Sequence, residues 1–283
     1  MHVSETFEPL EMPGPLVGVG WLAARLGRVV VFDASVGGRR GGEQRIPGAR
    51  PFDLDGVLSD HTAPVPHTMP TAAAFQEALR GLGVGDDDAV VVYDAAGVYS
   101  SARAWWMLRA MGFGRAAVLD GGLPAWSGAG LPVESGPAVY EGPRGSFTAR
   151  PRPGLLVDAG TVARALTDPD AAVLDARTRE RFAGTAPEPR PGLRGGHMPG
   201  ALNLPFGDLL GPDGLMRPAG ELRAVFEALT GERERLCFSC GSGVTACVLA
   251  LGATLAGYRD TAVYDGSWSE WGLPSERPVV TGA

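Results

Sequence analysis

The chain has 283 residues, 45% of them apolar and 20% charged, with a formal net charge of −7. This length suits two domains of roughly 100–200 residues each, and the composition sustains a buried core, which excludes a globally disordered chain. The acidic balance excludes nucleic acid or an anionic membrane as the main partner, because both demand a basic face; a small anion is compatible only with locally placed arginines or backbone amides.

In chain order, the opening stretch MHVSETFEPLEMPGPLVGVGWLAARLG lacks a basic segment followed by an apolar one, so no secretory signal is expected. No apolar run approaches the ~20 residues of a membrane span. Short β-branched runs at residues 29–32, 89–93 and 116–119, and again at 172–174, 236–238 and 261–264, predict strands. Between them FQEALRGLG, ARAWWMLRAMG and TACVLALGATLAG place apolar residues at i, i+3 and i+4 and stop at glycine, which predicts helices. Strands alternating with helices give an α/β class, with mostly parallel sheets covered on both faces. Glycine (42) and proline (24) are spread among these runs as turn punctuation.

The two halves repeat each other. VVVFDAS matches AAVLDAR, placing Asp33 and Asp175 142 positions apart, and IPGARPFDL matches MPGALNLPF, placing Ile46 and Met198 152 apart. The difference falls in FAGTAPEPRPGLRGG, a Pro/Gly-rich insertion in the second half. AVVVYDAAG matches RLCFSCGSG, and VLDGGLPAW matches VYDGSWSEW, with Asp120–Asp265 and Trp126–Trp271 both 145 apart. A period this long means duplicated domains, since solenoid repeats run to roughly 20–50 residues. The expected division is residues 1–132, a turn-rich linker at 133–153, and 154–283.

The densest chemical signal is RLCFSCGSGVTACVLALG: a buried strand, a glycine-punctuated loop at 239–245, then a helix. Ligands bind at the carboxyl ends of strands in such sheets, where Cys240 would sit. Gly241 and Gly243 let the backbone curl so that successive N–H groups, with the helix N-terminus, stabilise a thiolate or persulfide anion. Cys237 and Cys247, in the apolar strand and helix, read as structural. The C-x-x-C of Cys237 and Cys240 is a poor redox or zinc signal, because its first cysteine lies inside a strand and no further ligands are near; no metal is expected. A C-x5-R phosphatase loop would need arginine at Ala246. All three cysteines fall within eleven residues, too close for a disulfide framework, so the chain reads as cytoplasmic with reduced thiols.

These residues resemble the tandem-domain rhodanese family and, within it, its 3-mercaptopyruvate sulfurtransferase branch. The likeness runs through DHTAPVPHTMP, ARAWWMLR, DARTRERFAGTAPEPRPGLRGGHMPGALNLPF, CGSGVTA and YDGSWSEWG, almost the whole chain. It implies two rhodanese-like domains, the first non-catalytic and the second catalytic. By the 145-residue offset the first-half counterpart of Cys240 is Ala95, which is no nucleophile. The implied activity is transfer of sulfane sulfur from 3-mercaptopyruvate to a thiol (possibly thioredoxin) or cyanide through a Cys240 persulfide, releasing pyruvate without a cofactor. Two alternatives stay open: a thiosulfate sulfurtransferase, and a non-catalytic persulfide carrier. The resemblance implies Arg181 and Arg190 for the donor's carboxylate and ketone, and the loop residues Gly241, Gly243, Val244 and Thr245 for binding. It also implies a relay of Ser242 with His67 and Asp55 from the first domain. Taken alone, those arginines read as solvated, and His67 as readily as a surface histidine. Arg177 and Arg179 are expected to be structural or superficial, and no role is expected for His2 or His61. Arg45 stands where the family carries the histidine seen here as His197, a departure expected to touch structure only.

Overall fold

The computed structural model describes residues 10–282; His2 and the first part of the segment read for a leader lie outside the described residues. The first half carries β1 (Leu16–Val17), β2 (Val30–Asp33), β3 (Gln44–Arg45), β4 (Arg50–Pro51), β5 (Val90–Tyr93), β6 (Ala116–Leu119) and β7 (Glu134–Ser135). The second carries β8 (Leu156–Val157), β9 (Ala171–Asp175), β10 (Leu202–Asn203), β11 (Arg235–Ser239) and β12 (Asp260–Tyr264). One five-stranded parallel sheet runs β1-β6-β5-β2-β4 and the other β10-β9-β11-β12-β8. Read from its other edge, the second repeats the first strand for strand. The central strands β5, β6 and β9 are buried along their whole length, as continuous apolar runs are when helices cover both faces.

The three helical patterns become Ala72–Gly81, Ser101–Ala110 and Ala246–Leu255. The last two depart from a one-sided helix. Nearly every residue of Ser101–Ala110 is buried, and Ala246–Leu255 buries its first eight. The reason is tertiary: the two helices pack on each other between the sheets, so Trp106 and Leu108 share one apolar core with Leu249 and Leu251. The halves therefore meet through a common hydrophobic core.

Paired polar contacts repeat across that junction. Asp120 Oδ1 accepts the Met216 N–H from the opposite half at 2.9 Å, and Asp265 Oδ2 accepts the Met69 N–H at 2.8 Å. Residues 132–154 form no helix, yet they are strapped to the first half. β7 pairs antiparallel with β3, and Phe147 is buried between Phe75 and Phe113. The Phe147 and Arg150 amides bond to the Val84 and Met111 carbonyls at 2.9 and 2.8 Å.

Candidate active site

Cys240 follows directly on β11 and is 1% exposed. Its loop hangs from the helix Ser267–Trp271. The Cys240 N–H donates to Ser267 Oγ (3.2 Å), its carbonyl accepts the Trp268 N–H (2.9 Å), and the Gly241 carbonyl accepts the Ser269 N–H and Oγ–H (2.8 and 2.6 Å). Gly243 sits at φ +75°, and a Cβ there would stand 2.8 Å from the Asp265 carbonyl, so position 243 requires glycine. The amides of residues 241–245 meet no protein acceptor among the described residues. A run of free donors thus follows the cysteine, ahead of the positive end of the helix Ala246–Leu255.

Cys240 opens on a cleft of about 320 Å³ that also meets Val36, His67, Tyr99, Arg181, Arg190, Gly241, Ser242, Val244 and Thr245. The first half supplies His67, whose Nδ1 lies 2.9 Å from Ser242 Oγ and whose Nε2 lies 3.1 Å from Asp55 Oδ1. The other Asp55 oxygen accepts the Gly37 N–H at 2.7 Å. Burial works to raise the Asp55 pKa, but the Gly37 amide and His67 together hold it below the usual carboxylate range. Burial pulls His67 below its ordinary value of 6.5 despite the pull of Asp55 the other way. A neutral imidazole beside an ionised carboxylate has one consistent arrangement: Nε2–H donates to Asp55 and Nδ1 accepts the Ser242 hydroxyl. Ser242 Oγ then keeps its lone pairs for a ligand.

The arginines of the insertion differ in their partners. Arg181 is clamped by Glu188, with Nη2 2.5 Å from Oε2 and Nε 3.3 Å from Oε1. Arg190 donates to Ser269 Oγ at 3.3 Å and pairs with no carboxylate among the described residues. Arg177 is internal, held by both Asp175 oxygens and by Glu188, with its guanidinium 4.1 Å from the Trp268 ring centroid. Arg179 lies at the surface against Asp208. A Cβ at Gly241 would meet Arg181 Nη2 at 3.1 Å, so glycine there lets the guanidinium close on the cysteine loop.

A rhodanese-like domain model matches residues 19–129 and again 158–273. The chain belongs to the rhodanese family. It is 42% identical to the 3-mercaptopyruvate sulfurtransferase of Homo sapiens, across 92% of this chain and 85% of that one. It is 38% identical to the mitochondrial thiosulfate/3-mercaptopyruvate sulfurtransferase 1 of Arabidopsis thaliana, across 94% and 78%. The crystal structure of SseA from Escherichia coli, from work on 3-mercaptopyruvate sulfotransferases, superimposes with a TM-score of 0.78 at 37% identity, covering 90% of this chain and 99% of that one.

Within this tandem rhodanese the two sheets also correct one correspondence drawn from spacing. Val31 pairs with Val91 in the first sheet, and its repeat Val173 pairs with Cys237 in the second. The counterpart of Cys240 is therefore Asp94, 146 positions earlier, and not Ala95. Leu123 N–H donates to the Asp94 carbonyl as Trp268 N–H donates to that of Cys240, which fixes the same register. The first-half loop is one residue longer between strand and helix, so an offset taken further along slips by one. Asp94 is 1% exposed, and its carboxylate accepts the amides of Ala96, Tyr99 and Ser101 at 2.8, 3.0 and 2.8 Å. The first cradle is filled by a carboxylate built into the chain, and no thiol stands there.

Cys237 and Cys247 are buried, and burial pushes both thiols up to about 12; Cys247 donates to the Gly243 carbonyl. The His61 ring nitrogen lies 2.9 Å from the Gly56 carbonyl, away from the cleft lining. Arg45 bonds to the Ser135 and Gly136 carbonyls and pairs with Glu134, whereas His197 is buried and stacked on Phe182, so both serve structure. Sequence reasoning missed Tyr99, Ser269, Glu188 and the fully buried Arg103, which donates to the His67 carbonyl (2.8 Å) and Asp265 Oδ1 (2.6 Å). One signal was available for Arg103, a charge in the first turn of a helix that is mostly apolar.

Proposed function

We propose that this chain is a sulfurtransferase that moves sulfane sulfur from 3-mercaptopyruvate to a thiol or cyanide acceptor through a Cys240 persulfide, releasing pyruvate. The observation that carries this reading is the cleft itself. Cys240 is followed by an uncharged loop, Ser242 in that loop is bonded to the His67–Asp55 pair, and Arg190 offers the cleft a guanidinium that pairs with no carboxylate among the described residues.

The chemistry balances on these groups. The Cys240 thiolate attacks the donor's sulfur, the carbon–sulfur bond breaks, and its electron pair leaves on carbon as the enolate of pyruvate. The proton of the donor thiol ends on that carbon, so thiolate and mercaptopyruvate yield persulfide anion and pyruvate. Ser242, oriented by His67, carries that proton between sulfur and carbon, while Asp55 holds the imidazole in the required tautomer. The free amides of residues 241–245 stabilise the persulfide anion. Arg190 binds the donor's carboxylate and Arg181 its ketone oxygen, for which a guanidinium fork is suited. An acceptor thiolate then takes the outer sulfur and restores Cys240. No step draws on a metal or organic cofactor.

Thiosulfate, a dianion, would favour basic residues immediately after the cysteine, where Gly241 and Ser242 stand. A persulfide carrier would need no arginines in the cleft. For the acceptor we expect a small thiol or a dithiol protein such as thioredoxin. No helix among the described residues is long and apolar enough to cross a membrane, and three unpaired thiols fit a reducing compartment such as the cytoplasm.

The deciding assay measures pyruvate and sulfide release from 3-mercaptopyruvate, and sulfur transfer from thiosulfate, beside Cys240→Ser. The expected result is turnover with mercaptopyruvate that the variant loses entirely. Dominance of thiosulfate would overturn the donor assignment, and turnover surviving in the variant would overturn the nucleophile.

A further inference from the structure

Beneath the cleft wall, two acidic and two basic side chains form a row, three of them buried. Asp175 and Arg177 have fully buried side chains and are joined at 2.7 Å; Arg177 Nη1 reaches Glu188 Oε1 at 2.8 Å; Glu188, 2% exposed, grips Arg181 at 2.5 Å. Two carboxylates and two guanidinium groups cancel. Only Arg181, at the end of the row, reaches the cleft. Its charge is matched from behind while its remaining N–H groups still face the cysteine loop, close to Gly241. Arg103, the other buried guanidinium near the loop, is matched by Asp265. Arg190 alone among these arginines has no carboxylate partner among the described residues.

We propose that Glu188 is a specificity-determining residue: by neutralising Arg181 it leaves the cleft a single uncompensated guanidinium, so the site selects monoanionic sulfur donors and disfavours dianionic ones. This inference rests on the sulfur-donor reading above. It also divides the work of the two arginines. Arg190 supplies charge for a carboxylate, and Arg181 supplies hydrogen bonds to an uncharged ketone oxygen. Each charge in a partly desolvated site interacts far more strongly than in bulk water, so one unit more or less is enough to reorder donors that differ by one charge.

Glu188→Gln tests it, because the amide keeps the shape and one acceptor oxygen while removing the charge. Arg177 retains Asp175 and the Gly196 carbonyl, at 2.8 Å. The readout is kcat/KM for 3-mercaptopyruvate and for thiosulfate, with cyanide as acceptor, in the wild type and the variant. The expected result is a shift of about tenfold in the ratio towards thiosulfate, shrinking as salt is added. An unchanged ratio, or an equal fall with both donors, overturns the proposal, because a merely structural role lowers both together.

A second measurement needs no turnover and separates this inference from the donor reading. Alkylation of Cys240 by iodoacetamide, a neutral reagent, is timed with added pyruvate or added sulfate. In the wild type, pyruvate is expected to protect better than sulfate; in Glu188→Gln the order narrows or reverses. Sulfate protecting the wild type as well as pyruvate does overturns the charge argument, even where the variant fails to fold. If protection follows the expected order but neither donor turns over, the donor reading falls and the charge selection stands.

Discussion

The state of one proton couples the catalytic groups to pH. His67 is held below 6.5 by burial, so it is neutral at pH 7 and accepts from Ser242. Ser242→Ala and His67→Gln are each expected to lower kcat by about 10²-fold with Cys240 still alkylatable, the usual size for a lost proton-transfer partner. The acid limb of the wild-type rate should lie below pH 6.5 and vanish in His67→Gln. Stability follows the same sign. With the folded pKa depressed, the unfolded chain takes up the proton first, so stability falls as pH drops from 6.5 towards the folded value. Thermal unfolding of the wild type should show that loss, and His67→Gln should show less of it; equal slopes would remove His67 from the account. The Cys240 loop was legible in the sequence because glycine spacing and a strand–helix junction are local features. The Ser242–His67 contact came only from resemblance, since its partners lie 175 residues apart.

Secondary elements show where local pattern suffices and where it slips. The strand expected at 116–119 forms with those bounds, and the others shift by only one residue at either end, because β-branched runs between turn residues favour extended chain whatever their neighbours. The three expected helices form too, whereas the helix Ala219–Thr230 was not read, and the burial of the expected ones was not legible. An apolar stripe cannot reveal that Ser101–Ala110 and Ala246–Leu255 are covered on all sides by each other and by both sheets. The loop after β5 is the informative failure. Residue counting put Ala95 opposite Cys240, while the ladder of hydrogen bonds puts Asp94 there. That carboxylate carries a test of its own. Asp94→Ala takes away the acceptor of the Ala96, Tyr99 and Ser101 amides, and the buried Ser101 N–H left unsatisfied costs about 1–3 kcal/mol. Chemical denaturation should register a loss of at least that size. Retention of full stability would mean that the first cradle does not depend on its carboxylate.

Across the whole molecule, the two halves are joined by a shared apolar core and by a polar bolt at the site. Arg103 ties the His67 carbonyl of its own half to Asp265 of the other, whose second oxygen holds the Met69 amide. Arg103→Met leaves the half-buried Asp265 carboxylate without its counter-ion at the junction, with an expected loss of about 1–3 kcal/mol of stability. It also frees the backbone that orients His67, so activity should fall in the fraction that remains folded. Calorimetry on the wild type is expected to show one transition, because the core continues from one half into the other. Two separate transitions would contradict that continuity.

The duplication, the α/β class of each half and the cysteine loop follow from the order of residues alone, because periodicity, turn chemistry and glycine spacing act within a few residues of chain. Which half supplies the histidine, which carboxylate fills the silent cradle, and how Glu188 divides two arginines into one paired and one free depend on chain segments brought together by packing. Packing then sets the pairing of those groups. No local pattern carries that information, so the fold was readable from the sequence while the charge balance of the cleft was decided by tertiary structure.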